Sequence, residues 1–274
     1  MKFLFFILYC LGINKTSLYN KFVLHLLKID KLNDNLVLYN KNEELQTHYV
    51  QHLPDRYSYN LNLYEKNISF LKYTDIHHWV NGYYQNNVLD LTRFFSLNLC
   101  IDQILEEKIV GHTAELGVFR GNSAFLLAKL SRRINTSCYL FDTFEGFDDR
   151  DLMGNDSKHA PQDFTGTTLE DVKRFVGEEN TKFIKGYFPQ SLSTTEILDD
   201  FALVHIDCDL EAPFRAALSY FYPRLKKGGF LIMHDYSSLC WDGAKLAIDE
   251  FFADKKEFVI PIPDKSGTCI IRKT

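Results

Sequence analysis

The chain has 274 residues, 46% hydrophobic and 24% charged, which is enough apolar material for one large α/β domain with its own core. Its net charge is −5 and no block rich in Lys or Arg occurs. That excludes nucleic acid as the main partner, because phosphate contacts need a basic footprint.

The chain opens on Met1 to Gly12, one Lys at position 2 followed by an apolar run. The run falls short of the roughly 20 residues that span a bilayer, and no small-x-small cleavage site follows it. It reads as a helix that packs on the core or on a partner, the latter compatible with a homodimer; weak membrane-surface association is the other reading. No stable membrane insertion is expected, and the compartment is expected to be cytoplasmic. Cys10, Cys100, Cys138, Cys208, Cys240 and Cys269 form no C-x-x-C pair and read as small buried hydrophobes, not a disulfide frame or a zinc site.

Residues 1 to 108 carry helical periodicity, as in Leu18, Phe22, Leu26, Ile29 and in Leu91, Phe94, Phe95, Leu99, Ile101, with breaks expected at Pro54 and Gly82. From His112 the rhythm becomes strand then helix. A strand over 113–118 is followed by Gly121 and a helix to about Arg133, and a strand over 137–141 ends at Asp142. The polar loop 143–166 is long for such a connection, as lids often are, and a helix follows around 169–176. Next come a strand over 182–185, Gly186, and a helix after Pro189. The apolar run Phe201 to Ile206 ends in Asp207-Cys208-Asp209. A crossover helix over 212–225, ended by Gly228-Gly229, leads to a second run that stops at His234-Asp235. A helix over 242–252 and two strands, 258–262 and 268–272, close the chain.

Apolar runs of this length suit strands buried on both faces of a parallel sheet. Each of the last two parallel runs stops in acid, at the carboxyl ends where open α/β sheets bind ligands. A lone Asp there reads as a turn or N-cap residue; two acid-bearing ends in one βαβ unit read as a site. At the first strand end, Glu115-Leu-Gly117-Val-Phe-Arg-Gly121 has Phe119 where a dinucleotide fingerprint carries its second glycine. A pyrophosphate has no cleared seat, and a ligand without one fits better. Asp142, at the next strand end, stands where a carboxylate takes ribose hydroxyls. Among the other histidines, His205 reads as a packed core residue. His77, His78 and His159 read as loop residues able to cover the site, and the acidic run Asp148 to Asp151 as solvated.

Five stretches together resemble the macrocin O-methyltransferase (TylF) family of class I S-adenosylmethionine-dependent methyltransferases. They are Ala114–Gly121, Phe141–Gly146, Gly186–Leu192, Val204–Leu210 and Gly228–Tyr236, in order from about Asp102 to the end. The resemblance implies a Rossmann-like, seven-stranded, mostly parallel sheet with helices on both faces. A transferase domain, 109–274, would follow a helical amino-terminal extension or cap, 1–108. It implies S-adenosylmethionine as cofactor, with Glu115, Gly117 and Gly121 around its methionine part, Asp142, Thr143 and Phe144 along its ribose wall, and Gly186, Tyr187 and Phe188 near its adenine. It implies Asp209 as general base and a divalent cation, Mg²⁺ or Mn²⁺, on Asp207, His234 and Asp235. The family's pattern has Asp-Asp where this chain has His234-Asp235. His234 is therefore either a ligand that tilts metal preference or a hydrogen-bonding neighbour. The implied acceptor is a hydroxyl of a sugar or sugar-containing small molecule or glycan, in antibiotic or surface-polysaccharide biosynthesis. Two other classes remain open on the residues alone: a nicotinamide-dependent oxidoreductase, which Phe119 disfavours, and a non-catalytic cofactor-binding member, which Asp207 and Asp209 disfavour.

Overall fold

The structure, a computed structural model, describes residues 73–87, 90–161 and 163–274. The chain divides into residues 1–78 and residues 79–274, and the site belongs to the second unit. The expectations for Met1–Gly12, for the periodic stretch Leu18–Ile29 and for Pro54 fall outside the described residues. Among those described, no helix is long and apolar enough to cross a membrane.

Helix α1, Tyr73–Gly82, ends at the glycine, followed by the short α2, Tyr84–Asn87, and by α3, Leu91–Glu106. The face of α3 that carries Leu91, Phe94, Phe95, Ile101 and Ile104 is buried, as their three-and-four spacing requires. His77 and His78 therefore lie in a helix, not a loop. The alternation then runs β1 His112–Leu116, α4 Asn122–Ile134, β2 Cys138–Asp142, α5 Leu169–Val176, β3 Thr181–Lys185 and β4 Phe201–Ile206. It continues with α6 Glu211–Phe221, β5 Leu225–Met233, α7 Asp242–Phe252, β6 Ile260–Pro261 and β7 Cys269–Arg272. The sheet order is β3-β2-β1-β4-β5-β7-β6. The first five strands run parallel to one another, and β7 is antiparallel to both β5 and β6. Strand β4 is buried at all six positions, because helices cover both faces of the parallel part. Phe214, Ala217 and Leu218 of α6 and Ala244, Ala247 and Ile248 of α7 complete the core against it.

Register is what builds the site. Leu116 pairs with Phe141 on one side and Ile206 on the other, and Ile206 pairs with Met233. The ladder continues one residue further: Gly117 N–H donates to Phe141 O (3.0 Å), Asp207 N–H to Leu116 O (2.8 Å) and His234 N–H to Ile206 O (2.9 Å). Gly117, Asp142, Asp207 and His234 thus leave four adjacent strands at one level. A Cβ on Gly117 would stand 1.9 Å from Asp207 O, and its φ of +86° is left-handed; no other residue fits there.

Three expectations about elements are corrected. Gly228-Gly229 does not end the crossover helix: α6 stops at Phe221, a 3-10 turn Tyr222–Arg224 holding Pro223 follows, and the glycines lie inside β5. There the pairing with β4 jumps from Phe201–Leu225 to Leu203–Phe230, and a Cβ on Gly229 would sit 2.9 Å from Ala202 O. The pair lets the strand bulge against its neighbour. The segment after Pro189 is a 3-10 turn, Gln190–Thr194. Cys240 is exposed, whereas Cys100, Cys138 and Cys269 are buried.

Candidate active site

A cavity of about 310 Å³ opens at the carboxyl ends of the strands, in the size range of small-molecule sites. One side is the turn between β1 and α4 together with the ends of β2 and β3. Gly117, Val118 and Phe119 line it, with Asp142, Thr143, Gly186, Tyr187 and Phe188. Asp142 binds the turn itself: its Oδ2 accepts from the N–H groups of Val118 (2.7 Å) and Phe119 (2.9 Å), and its Oδ1 from Phe144 N–H (2.6 Å). Thr143 Oγ1 also approaches Oδ1, at 3.5 Å, so the carboxylate is largely engaged in shaping the turns around it. Tyr187 donates to Asp151 Oδ1 at 2.7 Å, and the Arg150 guanidinium stacks 3.6 Å from the Tyr187 ring centroid. Burial and the bond to Asp151 push the Tyr187 hydroxyl up to about 12.

The other side holds the acids that end β4 and β5. Asp207, Asp209, His234 and Asp235 all line the cavity. Asp209 and Asp235 have φ of 61° and 63°, left-handed values that are strained for residues with a Cβ and that turn the carboxyls back over the strand ends. His234 Nδ1 lies 2.9 Å from Asp207 Oδ1 and 3.1 Å from Asp235 Oδ2. Neither approach is aligned as a hydrogen bond: both ring nitrogens of His234 and Oδ2 of Asp235 are buried without such a partner. One donor atom from each of Asp207, His234 and Asp235 falls within 4.8 Å of the others. Converging carboxylate and imidazole donors left unsatisfied in a buried site fit a divalent cation.

Burial works against the charge on Asp207, but His234 and Arg93 overcome it and hold the carboxyl well below the usual range. Asp209 goes the other way. Burial, with the charges of Asp235 and Asp207 beside it, raises it well above an ordinary carboxyl. Burial would lower His234, and the two aspartates raise it well above a free imidazole. The two neighbouring carboxyls thus have opposed shifts, Asp207 favouring its charge and Asp209 its proton.

Among the residues expected from sequence, Gly117, Asp142, Thr143, Gly186, Tyr187, Phe188, Asp207, Asp209, His234 and Asp235 share the cavity wall. Glu115, Gly121 and Phe144 do not line it. Glu115 is fully buried between β1 and β4, where it accepts from Ser123 Oγ and contacts His205 Nδ1 at 2.7 Å. Its side chain points into the sheet's packed face because successive strand residues alternate. Gly121 faces Val176 and Val172 of α5, where a Cβ would come within 2.7 Å, so its role is packing between helices. Phe144 is buried behind the wall. His205 is the core residue expected.

Several lining residues were not read from the sequence. Arg93 enters from α3, its Nη1 donating to Asp207 Oδ2 at 2.9 Å. Arg120 also lines the cavity, stacked 4.4 Å from the Tyr83 ring centroid, as do Trp241, Lys265 and Ser266. Asp151, read as solvated, is buried against Tyr187; the signal that could have found it is its place in the loop directly after Asp142. His159 stacks on Trp241 with ring centroids 4.0 Å apart.

Comparison with known proteins agrees with this geometry. A profile of the family described as Macrocin-O-methyltransferase (TylF) matches residues 86–271, more than half of the chain. Demethyldecarbamoylnovobiocin O-methyltransferase of Streptomyces niveus is 26% identical over 181 residues, 61% of this chain and 68% of that protein. Mycinamicin III 3''-O-methyltransferase of Micromonospora griseorubida is 23% identical over 181 residues, 61% of this chain and 70% of that one. The solved structure of the O-methyltransferase NovP superposes with a TM-score of 0.60 at 26% identity, covering 68% of this chain and 81% of that one. The class I methyltransferase sheet, the cavity at its carboxyl edge and the family match over residues 86–271 have one conclusion: the chain belongs to the macrocin-O-methyltransferase family and is an S-adenosylmethionine-dependent O-methyltransferase.

Proposed function

We propose that the chain methylates a hydroxyl of a sugar or sugar-containing acceptor, with a divalent cation assisting, in antibiotic or surface-polysaccharide biosynthesis. The observation that carries this reading is the level alignment of four strand ends, which sets the glycine turn after β1 and a cluster of acids in one cavity. A further relative, of Streptomyces olivaceus, is named for 4'-O-methylation of a tetracenomycin bearing a dimethoxy-rhamnosyl group, which supports a sugar-bearing small molecule here. The 109–274 segment is proposed as the transferase domain and the segment before it, 1–108, as an extension whose α3 contributes to the site.

The β1 and β2 ends would hold the cofactor, with Asp142 shaping the turn and a ribose hydroxyl displacing the long contact from Thr143 to reach its Oδ1. The strand ends of β4 and β5 would hold the acceptor. Its hydroxyl gives its proton to Asp209, its oxygen bonds to the methyl carbon, and the carbon–sulfur bond breaks with its electron pair left on sulfur. The products are the methyl ether and S-adenosylhomocysteine. Burial beside Asp235 and Asp207 makes Asp209 a stronger base than an exposed aspartate, once ionised. Asp207, His234 and Asp235 would hold the cation, which lowers the acceptor's pKa when bound.

The test is release of S-adenosylhomocysteine from S-adenosylmethionine over a panel of glycosides, with and without exhaustive chelation. Turnover on at least one glycoside, abolished by chelator and restored by Mg²⁺ or Mn²⁺, is the expected result. Full turnover after chelation, in protein free of metal by elemental analysis, would remove the cation.

A further inference from the structure

Arg93 is the one cation of α3 that enters the acid cluster, and its surroundings are built to hold it still. Its side chain is 12% exposed. Nε lies 3.0 Å from Asp90 Oδ2, while Nη1 donates to Asp207 Oδ2 at 2.9 Å. The guanidinium carbon stands 5.3 Å from the centre of the Trp79 ring. That ring is fixed in turn: Trp79 Nε1 donates to Asn87 O at 3.1 Å, and Asn87 Nδ2 donates back to Trp79 O at 2.7 Å. Asp90 is held from the other side, its Oδ1 accepting the Lys265 N–H at 3.2 Å. The acids around Arg93 overcome its burial and strengthen its hold on the proton, so it is a permanent cation.

The two oxygens of Asp207 are therefore divided. Oδ2 belongs to Arg93, and Oδ1 faces the His234 ring. A carboxylate free to rotate could offer either oxygen; this one is pinned at one end by a hydrogen bond from a guanidinium that also stands in ion-pair contact with Asp90. Lys could supply the charge but not the planar guanidinium that lies beside both acids and over the Trp79 ring.

We propose that Arg93 is a positioning residue: it fixes the Asp207 carboxylate, and through it the His234 ring, so that Oδ1 is presented to the cation site. The metal-binding part of the proposal rests on the cation reading above; the positioning part does not. Outer partners of ligating carboxylates commonly carry about ten- to a hundredfold of metal affinity.

The experiment compares wild type with Arg93→Gln, Arg93→Lys and Asp90→Asn, each as the full chain with S-adenosylhomocysteine present. Mn²⁺ binding is followed by electron paramagnetic resonance, and the ring ¹⁵N shifts of His234 are recorded without metal at one pH, assigned through His234→Gln. S-adenosylhomocysteine affinity reports whether each variant is folded. Arg93→Gln should weaken Mn²⁺ binding about ten- to a hundredfold and move the His234 ring shifts, with cofactor affinity nearly unchanged. Arg93→Lys should recover part of both effects. Asp90→Asn, which removes the ion-pair contact at Nε without touching Asp207, serves if Arg93→Gln does not fold and should show a smaller loss in the same direction. Mn²⁺ affinity at or above the wild-type value in the folded variants overturns the proposal. If the wild type itself takes up no Mn²⁺, the cation reading falls, and the His234 ring decides alone: unchanged shifts overturn the positioning role and altered shifts uphold it.

Discussion

At the scale of single residues, the site separates two kinds of acid. Asp142 spends its carboxylate on backbone, accepting three N–H groups of the turns around it. Asp142→Ala should weaken S-adenosylhomocysteine binding about ten- to a hundredfold, the worth of about 1.5–3 kcal/mol in charged hydrogen bonds; calorimetric titration measures it. Part of that loss comes from a relaxed turn, so Val118 and Phe119 amides should exchange faster in the variant. Asp209 and Asp207 differ in kind again, one raised and one lowered by their neighbours. Asp209→Asn should lower kcat by about 10²–10⁴, the usual yield of a general base, while Mn²⁺ binding persists; Asp207→Asn should lose both. His234→Asp exchanges a nitrogen donor for oxygen and should shift activation from Mn²⁺ toward Mg²⁺, read as the ratio of turnover with the two ions.

At the scale of elements, the loop between β2 and α5 is more than a flap. It carries two 3-10 turns, Asp149–Asp151 and Gly154–Asp156. Buried Asp156 accepts the first N–H of α6, that of Glu211, at 2.7 Å, satisfying one of the orphan donors of a helix start. The middle of the loop is thus fastened to the crossover helix that follows the acids of β4. Asp156→Ala should cost about 1 kcal/mol, as loss of a cap does, and lower Tm by about 2–4 °C in calorimetry. Beyond this anchor, Phe164 is partly exposed and packs on Phe119 and Trp241, ring centroids 5.3 and 6.0 Å away. Hydrogen exchange over 157–166 should therefore slow on adding S-adenosylhomocysteine, while 149–156 changes little. Equal rates with and without ligand across the whole loop would end its role as a cover.

At the scale of the whole molecule, the charge cluster makes stability depend on pH in the absence of metal. His234 has its folded pKa raised above the unfolded value near 6.5, so its contribution is fully present below pH 6.5 and is lost as pH rises through the raised folded value. Asp207, lowered on folding, contributes above its unfolded pKa near 3.8 and loses that contribution as pH falls toward the folded value. With chelator present, wild-type Tm should fall from pH 6 toward pH 9 more steeply than that of His234→Gln. Parallel curves would show that the imidazole is not held between the two carboxylates in solution.

The sequence by itself determined the order of strands and helices and the acids that close β2, β4 and β5. These are local signals: an apolar run long enough for a buried strand, and a polar residue that ends it. It misled at Gly228-Gly229, since a glycine pair reads the same whether it stops a helix or relieves a bulge, and only the pairing of β5 with β4 distinguishes the two. It misled also at Glu115, whose place beside a glycine turn gives no hint of which face of β1 it takes. The entry of Arg93 into the site had no local signature at all. Arg93 is one charged position on an amphipathic helix, 114 residues before its partner Asp207. Polarity and periodicity act within a few residues, so they reach the strand ends. Which ends stand level, and which distant cation completes them, depends on sheet register and helix packing across the whole domain, and there the tertiary structure decided.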